Sequence, residues 1–195
     1  AGIWDPNGDR VQAGHLGDAI EHLLTTPSGQ IWVGYFDEAS GLRSHPTGIA
    51  RFDKTLGETW RYRHGTSMPD HFDCYALNVD DEAATTYAYT AWHLTRIGQD
   101  DWTDLGPAPH HGASALMIAG DRAVLIGGYG ADYDLITPLR IDPDGIRRAG
   151  PSQRLVLPGG LEVHGRRVLV GRGADLHVIH QRAWHRLDLD SVAFD

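Results

Sequence analysis

Four segments of this chain repeat one pattern: an apolar run, a tight turn and a second apolar run. They run from Leu23 to Tyr35, Ala76 to Tyr89, Ala115 to Gly128 and Gly160 to Gly171, and their first residues recur at spacings of 53, 39 and 45 residues. A second repeat interleaves with the first. Ile3-Trp4-Asp5-Pro6-Asn7-Gly8 resembles Arg51-Phe52-Asp53-Lys54-Thr55-Leu56-Gly57 and Arg140-Ile141-Asp142-Pro143-Asp144-Gly145. Looser copies begin at Arg96 and Val178. Each copy reads as a strand that ends in a turn, with Pro pre-setting φ and Gly accepting positive φ. Two alternating hairpins with a period of about 40–50 residues describe four-stranded antiparallel blades, and the predicted fold is an all-β propeller.

The hairpin count predicts more than the class. There are five outer hairpins and four inner ones, so about four and a half blades lie in this chain. The predicted division is an outer half-blade over 1–16 and blades over 17–66, 67–107, 108–152 and 153–195 of a single domain. An open ring would expose long strand edges. The expectation is therefore a ring of about six blades, completed by an N-terminal segment or a second chain. The alternative is a small propeller whose N-terminal segment pairs with the last blade.

Composition narrows the function classes. A formal net charge of −9 argues against nucleic acid as a partner, since phosphate binding needs clustered Lys and Arg, and Lys54 is the single lysine. No apolar run reaches the length of a membrane span. The lone cysteine, Cys74, excludes an intrachain disulfide and favours a reducing, cytoplasmic compartment.

In this architecture the connections from outer to inner strands and those between the two middle strands open on one face, the top. The longest loops, 36–47, 63–71 and 130–137, fall there, and function on a rigid scaffold concentrates in such loops. Glu21, His22, Asp73 and His110 stand where inner strands begin and form a candidate metal set, because carboxylates with imidazoles suit calcium or zinc. The exits of the second strands are rich in aromatic and acidic residues. Tyr35, Asp37, Glu38, Trp92, His93, Tyr129, Asp132 and Tyr133 form the candidate ligand-binding set. Trp32, Trp60, Trp102 and Trp184 occupy matching strand positions and are expected to pack within and between blades.

Pro27-Ser28-Gly29-Gln30-Ile31-Trp32-Val33-Gly34-Tyr35 resembles the repeat of bacterial propellers of the two-component-regulator type, which is WD-like in its turn and Trp. The match is good in that blade and decays in the others, where Tyr87 or Val stands in place of Trp. The resemblance implies a sensing or interaction module and carries over no catalytic residue. A second propeller group, the calcium- or zinc-dependent lactonases, lines its channel with Glu, Asn and Asp, for which Glu21, Asn78 and Asp73 are candidate analogues. The leading expectation is a non-enzymatic module that binds a protein or small-molecule ligand on its top face. The alternative is a metal-dependent hydrolase or lactonase.

Overall fold

The structure is a computed structural model that describes residues 1–36, 48–163 and 165–195. It is all-β and builds the four blades of a β-propeller. A hairpin of β1 (Gly2–Trp4) and β2 (Arg10–Ala13) comes first, as a two-stranded sheet of its own. Blade one follows with β3 (Ile20–Thr25), β4 (Ile31–Tyr35), β5 (Ile49–Phe52) and β6 (Glu58–Arg61). Blade two has β7 (His71–Asp80), β8 (Ala83–Thr90), β9 (His93–Ile97) and β10 (Trp102–Pro107). Blade three has β11 (Ala115–Ala119), β12 (Arg122–Ile126), β13 (Leu135–Asp142) and β14 (Gly145–Arg148), with β15 (Gln153–Arg154) paired to the start of β13. A small hairpin of β16 (Val156–Leu157) and β17 (Leu161–Glu162) precedes the three-stranded sheet of β18 (Arg167–Arg172), β19 (Asp175–His180) and β20 (Ala183–Asp188).

The Asp-led repeat has a direct physical basis. Asp53 Oδ1 accepts hydrogen bonds from the backbone N–H groups of Thr55 at 2.8 Å and Gly57 at 2.9 Å. Asp5 Oδ1 does the same with Asn7 and Asp9, both at 2.9 Å. The carboxylate thus supplies the acceptors that a tight turn lacks. Hydrogen bonds hold both Asp carboxyls below the usual range: first from the Asp9 N–H at Asp5, and first from the Thr55 hydroxyl and then from the Gly57 N–H at Asp53.

Side chains alternate between the two faces of each blade, and successive faces meet to make the core. Leu24, Trp32 and Ile49 of blade one pack toward Leu77, Val79 and Ile97 of blade two. Ala76, Tyr87 and Leu94, on blade two's other face, meet Leu116, Leu125 and Leu139 of blade three. Met117, Val124 and Ile136 in turn meet Leu169, Leu176 and Val178. The β1–β2 hairpin lies on the remaining face of blade one, where Ile3 packs against a core of Leu16, Val33, Ala50 and Phe52. Within the 1–16 segment the strands are β1 and β2.

The last blade differs from the expected plan. Leu161–Val163 was expected as its innermost strand, equivalent to β3, β7 and β11. Instead β17 turns back on β16 through Gly159 and Gly160, both at positive φ, and β18 takes the inner position beside β7 and β11. Two features fix β18 there. A Cβ on Gly171 would lie 1.8 Å from Leu116 O, so only glycine permits the approach. Fully buried Asn78 then ties three blades together: its Nδ2 donates to Leu116 O (2.7 Å) and Gly173 O (3.0 Å), and its Oδ1 accepts from Gly173 N (2.9 Å).

The tryptophans also divide. Trp32 is fully buried and meets Trp60 edge-to-face at 6.0 Å. Trp102 is 38% exposed and Trp184 72% exposed, so packing accounts for the first pair and not for the second. Trp102 lies in β10 and borders a recess with Thr59 and Trp60 of blade one, and Trp184 lies in β20 and donates Nε1–H to His177 Nδ1 at 3.2 Å.

Candidate functional site

Two irregularities in β7 shape the top face. The pairing of β7 with β8 shifts register between His71 and Asp73 and again between Cys74 and Ala76. Each shift inserts one extra residue, Phe72 and then Tyr75, and a bulge of this kind re-aims its side chain. Tyr75 becomes the centre of an aromatic cluster. Its ring centroid lies 4.8 Å from Trp92, 5.2 Å from Phe36, 6.2 Å from Tyr129 and 6.3 Å from Tyr89.

The rings stand steeply to one another. Trp92 makes interplanar angles of 68° with Tyr75, 67° with Tyr89 and 84° with Tyr129, while His111 stacks on Trp92 at 5.0 Å and 15°. Edge-to-face contacts of this type set positive ring edges against negative faces and hold the cluster rigid. A hydrogen bond of 2.8 Å from Tyr129 OH to Tyr75 OH closes it across two blades. Burial, then this bond, raises the Tyr75 phenol, and the nearby Asp73 carboxylate adds to the rise.

Local backbone places each member. Trp92 sits at the turn from β8 to β9 with φ of 58°, held by hydrogen bonds from its N–H to Ala88 O (2.8 Å) and from Ala108 N–H to its carbonyl (2.9 Å). Gly112 has φ of +78°, and a Cβ there would lie 2.7 Å from the Tyr129 ring, so this glycine makes the bed on which the ring lies. Tyr129 is 57% exposed and Tyr89 39% exposed. The cluster is therefore an aromatic platform open to solvent, built from Tyr75 of β7 and the second-strand exits of blades one to three.

Carboxylates border it. Thr90, next to Tyr89, donates to Asp70 Oδ2 at 2.7 Å. Burial raises the Asp70 carboxyl, but hydrogen bonds from Thr90, Tyr62 and His64 outweigh it and hold the group below its usual range. Asp132 follows Tyr129 in a short 3-10 turn, Gly130–Asp132, and pairs with Arg154 at 3.4 Å. The imidazoles beneath the platform are neutral at pH 7. Burial pushes His22 and His71 below the ordinary 6.5.

Of the expected ligand-binding residues, the structure brings Trp92 and Tyr129 together. Tyr35 is buried, and its hydroxyl donates to Leu16 O, so it packs between the first hairpin and blade one rather than facing solvent. His93 pairs with Asp104 at 2.8 Å on blade two. Tyr133 lies under the Arg167 guanidinium, 5.0 Å from its ring centroid. Asp37 and Glu38 lie outside the described residues. Tyr75, Tyr89 and Phe36 fall outside the candidate sets, and His111 joins the platform through its stack on Trp92. The signal for Tyr75 is a β7 segment too long for its partner, which only the register reveals.

The expected metal set is dispersed. His22 Nε2 lies 3.1 Å from Tyr75 O and His110 Nε2 lies 2.7 Å from Gly127 O. A carbonyl can only accept, so both nitrogens carry the proton and are donors rather than metal ligands. Glu21 is the extra residue of a bulge in β3 and is exposed, whereas Asp73 is buried. Among the described residues no three His, Cys, Asp or Glu side chains stand together. Glu21 and His22 instead help line a cavity of about 430 Å3 between β3 and β18, which also takes in Leu77, Arg166 and Arg167.

No protein-family model and no curated protein sequence matches the chain. Solved structures do match. The computationally designed Ika8 protein aligns over 99% of this chain and 54% of its own, with 14% identity and a TM-score of 0.55. Hsv2 of Kluyveromyces lactis aligns over 96% of this chain and 55% of its own, with 14% identity and a TM-score of 0.51. The chain thus spans about half the length of these structures, and at this identity the likeness shows the fold alone. The class is that of β-propeller proteins. No helix among the described residues is long and apolar enough to cross a membrane.

Proposed function

We propose that this chain is a non-enzymatic binding module of the bacterial repeat-propeller kind, and that it holds a protein segment or small ligand on the aromatic platform of its top face. The observation that carries the reading is the cluster of Tyr75, Tyr89, Trp92 and Tyr129, pre-arranged by a bulge, a glycine bed and an inter-blade hydrogen bond. Tyr and Trp offer large contact area at low entropic cost and dominate binding hot spots. A monomer gains no stability from leaving such rings in water, so their exposure supports a recognition role.

The reading is tested with a chemically diverse fragment set followed by NMR on the aromatic side-chain resonances. Shifts are expected to cluster on the four rings and to vanish in Tyr129→Ala, whose exposed position leaves folding intact. Shifts that cluster instead on the cavity between β3 and β18, and persist in that variant, refute it.

A further inference from the structure

The platform has a chemical preference that its neighbours reveal. Elsewhere in the molecule, guanidinium groups stack on aromatic rings: Arg51 on Trp32 at 5.4 Å, Arg122 on Phe194 at 5.5 Å and Arg167 on Tyr133 at 5.0 Å. Among the described residues no arginine or lysine stacks on Tyr75, Tyr89, Trp92 or Tyr129. Among the described residues, the exposed rings Tyr129 and Tyr89 thus lack the cationic partner that Trp32, Phe194 and Tyr133 have.

Carboxylates border the platform on two sides, and Arg154 is the cation that reaches one of them. Asp70 borders the platform beside Tyr89, and Asp132 borders it beside Tyr129. Asp132 is only loosely engaged: Arg154 reaches it at 3.4 Å while making its shorter contact with Asp134, and the Asp132 side chain stays half exposed. His22, whose Nε2 donates to Tyr75 O, is kept neutral near pH 7 by burial. The charged groups that act on the Tyr75 hydroxyl are negative or phenolic. Ring quadrupoles and carboxylates therefore act together on any bound group, and both favour a cation.

Geometry separates the cations. The platform is open rather than enclosed, which suits a flat group laid on ring faces. A guanidinium is planar and weakly hydrated, stacks on aromatic faces and keeps its N–H edge free for a carboxylate. An ammonium is a compact, strongly hydrated point charge that gains less on an open face.

Building on the proposed binding role of this face, we infer that the platform takes an arginine side chain of a partner polypeptide, with the guanidinium on the exposed rings and Asp132 accepting from its edge.

Three blocked pentapeptides test this, each with two glycines on either side of arginine, lysine or citrulline. Citrulline keeps the planar shape and removes the charge. The readout is the indole N–H resonance of Trp92, identified by its loss in Trp92→Phe, with Tyr129→Ala and Asp132→Asn as variants. The arginine peptide is expected to bind about fivefold or more tightly than the citrulline peptide, as a cation–π contribution at a half-exposed site implies. Lysine is expected to fall between them, and Asp132→Asn to weaken arginine binding while leaving citrulline binding unchanged. Equal binding of arginine and citrulline overturns the cation and leaves the platform as a general aromatic site. Absence of any peptide shift, while neutral fragments still perturb the four rings, overturns the arginine partner and retains the binding role. Peptide shifts confined to other tryptophans overturn the placement.

Discussion

Replacing Asn78 with Ala tests how the last blade is locked to the rest. The side chain makes three hydrogen bonds, to Leu116 O, Gly173 O and Gly173 N, and is fully buried. The losses are not equal. Gly173 O keeps a bond from Ile118 N at 2.9 Å, and Gly173 N keeps Val79 O at 3.2 Å. Leu116 O loses its side-chain partner outright, and no water reaches it without disturbing the seam between blades. At about 1 kcal/mol for each bond lost, with the larger cost for a buried group left unsatisfied, destabilisation should be about 2–3 kcal/mol. For a chain of this size that lowers Tm by roughly 5–10 °C. Urea unfolding followed by tryptophan fluorescence measures it, with the m-value checked for a change in mechanism. Fragment binding at the platform, whose rings make no hydrogen bond to Asn78, should be retained. A loss below about 1 kcal/mol would show that the clamp is not what seats β18, and the account of the last blade would fail.

Gly112→Ala places a Cβ 2.7 Å from the Tyr129 ring at a φ of +78°. It should cost about 1–2 kcal/mol and weaken platform binding in the NMR titration more than it weakens folding. His22 and His71 have folded pKa values lowered from 6.5 by burial, so the unfolded chain binds more protons as pH falls below that value. Stability should be fully present above pH 6.5 and decline from there toward pH 5, and the decline in urea midpoint should be smaller in His71→Gln. The Cys74 thiol is fully buried and raised by burial first and by Glu21 and Asp73 second. It should resist an aromatic disulfide reagent in buffer and react at once in denaturant. Rapid reaction in buffer would show that blades one and two separate readily.

Blades one to three were legible in the sequence because their hairpins set apolar runs on either side of short turns. Leu23, Ala76 and Ala115 all fall in inner strands. The last blade was not, because Gly160–Gly171 carries the pattern of an inner hairpin while Gly159 and Gly160 favour a different turn. Alternation fixes which face a residue takes, and it does not fix which neighbour its strand chooses. The site was half legible. Trp92 and Tyr129 follow from position at strand exits, and Tyr35 occupies the same kind of position yet is buried under the first hairpin. Tyr75 depends on a bulge, which is a property of pairing rather than of one strand. The partners of the histidines were hidden for a similar reason: the carbonyls that accept from His22 and His110 belong to residues 53 and 17 positions away.

The Asn78 clamp also bears on the order in which this chain acquires structure. Its partner turn at Gly173 lies 95 residues downstream. Blades one and two consist of neighbouring hairpins and can pair as they leave the ribosome. Blade three supplies Leu116 O to Asn78, but the Asn78 Oδ1 has no Gly173 N–H to accept from until the fourth blade exists. Bringing together such distant residues is slow because the loop must close before the contact rewards it. During that interval Asn78 and the face that β18 will cover are open to wrong partners, the condition under which β-rich intermediates aggregate. The final blade thus sets the pace of maturation for strands completed long before it.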